Sequence, residues 1–271
     1  MTSASSFSIH STLIHETPSA AKRRVVFLHG LFGRGKNFTR IANALLPEAE
    51  SLLVDLPNHG QSEWTADLSY EELADLIAGH IRETSGEHLP IDLVGHSMGG
   101  KVAMTLALRH PELVRRLVVI DISPTNAISG RGQFEHLLGS LATINLATLE
   151  KRTDAAAQLK PLIPDDGVRG FLLQNLRRGD EGFAWEPNLH LLRAKLPTIM
   201  SFPEVGDANY TGPVLWVGGS ESHYISDSDE PTMRSLFPKT IRMTVRGAGH
   251  WVHAEKPEEV IAALRGFLLS E

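Results

Sequence analysis

The sequence predicts an α/β fold: a mostly parallel central sheet flanked by helices, with a helical cap inserted into it. Three observations predict this. Short β-branched runs alternate with amphipathic helical stretches, the pattern of parallel strands joined by right-handed crossovers. One stretch, 127–208, breaks that rhythm; it is rich in Leu and Ala and shows no clear strand. One strand, Ile91 to Val94, runs straight into Gly95-His96-Ser97-Met98-Gly99, and a helix follows at once. Residues 1–126 and 209–271 are therefore expected to form the core domain, and 127–208 the cap.

The elements follow in order. Alternation at Phe7, Ile9 and Leu13 suggests an antiparallel edge pair, and Val25 to Leu28 a first parallel strand ending in His29-Gly30. A helix is expected over about 36–46, then a strand from Leu52 to Leu56. Ser69, three residues before Glu72, opens a helix with Leu73, Leu76, Ile77 and Ile81 on one face. The helix after Ser97 must stop before Pro111, and Leu117 to Ile120 forms a strand ending at Asp121. Beyond the cap, Val214 to Val217 and Ile241 to Val245 complete the sheet. Pro257 then opens a last helix carrying Val260, Ile261, Leu264 and Leu268 on its buried stripe.

Composition excludes several functions. The 271 residues hold no cysteine, so disulfides, thiolate metal sites and a cysteine nucleophile are ruled out. A balance of 26 basic against 32 acidic residues leaves a net charge of −6, unsuited to a nucleic-acid surface. No apolar run is long enough to span a membrane. The opening MTSASSFSIH lacks the features of a signal peptide, which suggests a cytoplasmic protein.

Gly95-His96-Ser97-Met98-Gly99 is a G-x-S-x-G pattern in the strand–turn–helix setting that gives it chemical meaning. The turn must be sharp to thrust out the Ser97 hydroxyl, and side chains at 95 and 99 would collide with the neighbouring strand and helix. A serine needs a base. Among 13 histidines, His250 stands directly after the last strand, in Arg246-Gly247-Ala248-Gly249-His250, with His253 as its competitor. The His250-x-x-His253 pair has no third ligand placed, so no metal is expected. Two N–H donors should hold the oxyanion: Met98, and Leu31 in His29-Gly30-Leu31-Phe32-Gly33, with Phe32 as the alternative. Gly30 to Lys36 mimics a phosphate-binding loop, but Asn37 stands where Ser or Thr is required, so no nucleotide is expected. For the acid that orients His250, Asp121 at its strand end is preferred over Glu221; a plain turn role before Pro124 is the alternative for Asp121.

Together HGLFG, PNHGQS, GHSMGGK, IDISP and GAGHWVHAEKPEEV resemble the YbfF-type bacterial esterases of the α/β-hydrolase superfamily, over nearly the whole chain and least in the cap. The resemblance implies the α/β-hydrolase fold and a cytosolic, cofactor-free hydrolase of acyl esters or thioesters. It also implies an acid after the earlier strand, favouring Asp121. Where relatives often carry an acid after the penultimate strand, this chain has Ser222, with Glu221 one residue out of register. Phe171, Trp185 and Phe32 are candidates for substrate contact, though plain cap core is the favoured reading for Phe171 and Trp185.

The expected function is therefore hydrolysis of a small acyl ester through Ser97, His250 and Asp121. Rivals on the same framework are a carbon–carbon bond hydrolase, a perhydrolase or a lyase. A non-catalytic ligand-binding protein is the rival from another class.

Overall fold

The computed structural model describes residues 7–17, 21, 23–126 and 130–270. The expected start of the cap at 127 and the opening MTSASS lie outside them. Seven strands form the main sheet: β1 (Ser11–Ile14), β2 (Arg23–Leu28), β3 (Ala49–Val54), β4 (Ile91–His96), β5 (Val114–Ile120), β8 (Val214–Gly219) and β9 (Thr240–Val245). Their order is β1-β3-β2-β4-β5-β8-β9, parallel except for β1. The expected antiparallel edge is therefore a single strand laid against β3, not a pair formed within the N-terminal stretch.

Helices cover both faces, which is why β3 and β4 are buried at every position. On one side lie α2 (Tyr70–Ser85) and α3 (Met98–Arg109), packing Leu73, Ile77, Val102 and Leu106 into the core. On the other lie α1 (Thr39–Asn43) and α11 (Pro257–Leu268), contributing Ile41, Val260, Leu264 and Leu268. Each such side chain contributes about 1.5–3 kcal/mol by leaving water. The expected capping is present at α2, where the Ser69 hydroxyl accepts from the Glu72 N–H at 3.1 Å. The expected helix over 36–46 is shorter: a 3₁₀ turn at Gly35–Phe38 leads into α1.

Between β5 and β8 lie α4 (Arg131–Ala142), α5 (Arg152–Leu159), α6 (Asp166–Leu173), α7 (Leu189–Ala194) and α8 (Leu196–Met200). The insert also contains a hairpin, β6 (Leu176–Gly179) with β7 (Gly182–Trp185), where the sequence suggested no strand. Each arm has four residues, without a β-branched side chain, so neither periodicity nor propensity marks it. Two short helices, α9 (Glu230–Leu236) and α10 (Val252–Glu255), lie between and after the last two strands, and short 3₁₀ turns occur elsewhere in the described chain. Among the described residues, no helix is long and apolar enough to cross a membrane.

Buried polar contacts tie the insert to the core. Lys101 of α3, 1% exposed, donates to the carbonyls of Thr125, Met200 and Ser201 at 3.2, 2.8 and 2.6 Å. It thereby holds both ends of the insert, and burial pushes its ammonium down to about 7. Arg34 pairs with Glu186 at 2.7 Å, and the Asn175 side-chain amide donates to the Phe32 carbonyl at 2.8 Å.

Candidate active site

The turn between β4 and α3 holds Ser97 at φ 52° and ψ −119°, a conformation unfavourable for a side-chain-bearing residue. Two contacts explain why glycine flanks it. A Cβ on Gly95 would stand 2.3 Å from the Gly99 carbonyl oxygen, and one on Gly99 would stand 2.4 Å from that of Leu28. Strand and helix can close to this distance only with neither side chain present. The strained turn projects the Ser97 hydroxyl beyond the carboxyl edge of the sheet.

His250 reaches that hydroxyl from the loop after β9. Its Nε2 lies 2.9 Å from Ser97 Oγ, and its Nδ1 lies 2.8 Å from Asp121 Oδ2. The carboxylate can only accept, so Nδ1 carries the proton and Nε2 is free to accept from the serine. The loop is anchored on both sides of the imidazole. Glu255 accepts from the N–H of Gly249 at 2.8 Å and of Trp251 at 3.2 Å, while His96 Nε2 donates to the His250 carbonyl at 2.9 Å. Burial holds His96 well below its ordinary range, so it donates as a neutral ring.

Asp121 directly follows β5, at φ 53°, and is fully buried. Its carboxylate accepts from the Gly219 N–H at 2.9 Å, from His250 and from the Ser222 hydroxyl. Ser222 thus supplies a hydroxyl from the position where the motif suggested an acid. Glu221 faces solvent and turns its N–H to the Ala248 carbonyl instead, at 2.9 Å.

The loop after β2 is shaped by His29. The Leu56 N–H donates to its Nε2 at 3.0 Å, so the proton sits on Nδ1 and is given to the Gly30 carbonyl at 2.8 Å. Phe32 follows at φ 63°, its carbonyl held by Asn175. Leu31 and Met98 both line the cavity that contains Ser97.

A family model described as "Alpha/beta hydrolase family" matches residues 25–263. The chain belongs to the alpha/beta hydrolase family. This hydrolase is 38% identical over 253 residues to the mouse sn-1-specific diacylglycerol lipase ABHD11, with 90% of the chain and 80% of that protein covered. It is 29% identical to Esterase YbfF of Escherichia coli, covering 90% of the chain and 91% of the relative. Among solved structures, a marine microorganism esterase superposes with a TM-score of 0.91 at 31% identity, over 97% of this chain and 100% of the other.

The cavity beside Ser97 in this hydrolase is small, with a volume of about 10 Å³. Leu31, Met98, Ile122, Phe134, Ile199 and Met200 give it apolar walls, and Lys101 and Tyr224 complete them. Phe134, Ile199 and Met200 come from the insert. Neither Phe32 nor Trp185, the expected substrate contacts, lies in this wall. The Phe32 ring is buried behind Phe134, at 6.3 Å between centroids, and Trp185 packs on the core from the hairpin. Phe171 faces a separate, open cleft of about 460 Å³ beside Trp251. His253 is stacked on Phe38 at 4.8 Å and pushed down to about 3 by burial, so it packs the loop rather than meeting Ser97. Among the described residues, no group of three or more His, Cys, Asp or Glu could hold a metal ion.

Sequence reasoning missed Tyr224, whose ring stacks on His250, and the anchoring role of Glu255. Glu255 lies within the quoted GAGHWVHAEKPEEV motif, five residues after His250, but nothing in the spacing says which way its carboxylate turns.

Proposed function

We infer that this carboxylic ester hydrolase works by two-step acyl transfer, with Ser97 as nucleophile, His250 as base and Asp121 as the acid that orients it. One observation carries the reading: a single imidazole lies 2.9 Å from a serine hydroxyl and 2.8 Å from a buried carboxylate. On attack, His250 takes the Ser97 proton, Asp121 stabilises the resulting cation, and the N–H groups of Leu31 and Met98 hold the oxyanion. His250 then protonates the leaving alcohol. Water repeats the sequence on the acyl-enzyme, restoring the serine.

The apolar walls suit an alkyl chain better than a charged acyl group. Segment 127–208 acts, on this reading, as a cap that must part to admit substrate, because about 10 Å³ cannot hold an ester. Relatives named as diacylglycerol lipases make glycerol esters the first substrates to try. Acyl thioesters fall within the same chemistry, since a thiolate leaves more readily than an alkoxide.

The test is labelling by a fluorophosphonate beside turnover of matched butyryl esters and thioesters. The native chain labels and hydrolyses; Ser97→Ala does not label and loses about 10⁴ to 10⁶ in kcat. Labelling retained in Ser97→Ala, or no turnover by the native chain, would defeat the proposal.

A further inference from the structure

The wall of the catalytic cavity contains three polar side chains, and two are already engaged. The Ser97 hydroxyl meets His250 at 2.9 Å, and the Lys101 ammonium is taken up by three carbonyls. The third is Tyr224. Its hydroxyl is buried and has no hydrogen-bond partner among the described residues. A buried donor left unpaired is costly, and in a folded protein it calls for a specific explanation such as a functional role.

The position of the ring is closely determined. Tyr224 lies against the imidazole of His250, with centroids 4.0 Å apart and planes inclined by 29°. At its far end the hydroxyl fills the space beside Gly130, which has φ +87° and precedes α4; a Cβ there would stand 2.0 Å from the phenol oxygen. The phenol is a donor at neutral pH, because burial pushes it up to about 12.

We propose that Tyr224 is a specificity-determining residue: its hydroxyl donates to an oxygen in the alcohol half of the ester, favouring esters of polyols over those of plain alkanols. This rests on the reading of Ser97 and His250 given above. The carbonyl oxygen has its own donors in Leu31 and Met98, and the apolar walls serve the acyl chain. His250 is the group that returns a proton to the departing oxygen. A side chain lying on that imidazole therefore stands beside the alcohol half.

Glyceryl 1-monobutyrate and n-propyl butyrate share an acyl chain and a three-carbon alcohol, and differ in the two hydroxyls. In Tyr224→Phe, kcat/KM falls about 10-fold for the glyceryl ester and stays within about twofold for the propyl ester. An equal fall on both, or none on either, overturns the proposal. Gly130→Ala must displace the ring and is expected to slow both esters; full activity on both would contradict the packing on which the proposal depends. Ser97→Ala, assayed alongside, separates the two failures: retained turnover there sinks the acyl-enzyme reading itself.

Discussion

Three donors converge on the Asp121 carboxylate, and their convergence explains how a strand-end acid serves a histidine on a distant loop. The Gly219 N–H and Ser222 hydroxyl fix its two oxygens, leaving one lobe directed at His250 Nδ1. Asp121→Asn should lower kcat by about 10³ to 10⁴ with little change in fold, because the amide cannot hold the imidazole in the required tautomer. Glu221→Gln should stay within about twofold, as expected for a solvent-facing side chain. Steady-state kinetics on one ester would separate these outcomes, and the reverse pattern would reassign the acid. Ser97 and His250 were legible in the sequence because their signals are local: glycines around a strand–helix turn, and a histidine after a strand. Asp121 was legible as a strand terminus, but its donors were not. Tyr224 and Lys101 were invisible as members of the site, since tertiary closure alone brings them beside Ser97.

At the scale of elements, the hydrolase depends on loops that are pinned rather than on helices alone. Glu255 of α10 grips the backbone on either side of His250 through two N–H groups. Glu255→Ala should cost about 1–3 kcal/mol in stability and lower kcat more than it raises KM. Thermal melts and kinetics would check both; unchanged kcat would reduce Glu255 to a packing role. The loop carrying Leu31 is held comparably, by His29 beneath it and by Asn175 from the insert. The strands and principal helices of the core were readable from periodicity, because burial on both faces forces continuous apolar runs. The hairpin of the insert was not. Its arms, four residues each and without a β-branched side chain, are too short to show a period, and their pairing becomes evident only in space.

Across the whole molecule, acid sensitivity follows from the buried imidazoles. Burial holds His29 and His96 low, and pushes His59 and His253 down to about 3. In the unfolded chain these rings titrate near 6.5, so below that pH the unfolded state binds more protons and the fold loses stability. The stabilisation is fully present above about pH 6.5 and, for His59 and His253, declines towards pH 3; at pH 5 each of those two rings costs about 2 kcal/mol. Urea midpoints measured from pH 7 to 4 should fall steeply, and His253→Gln should flatten the slope by about one proton. A midpoint independent of pH would refute this account. The nearly filled space beside Ser97 has a different consequence. On the proposal that 127–208 is a cap, capture of a ligand and displacement of that segment are one event, because about 10 Å³ is too small for an ester. Any strong inhibitor must act as a wedge, and its association will saturate at the frequency of opening, however tightly it finally holds.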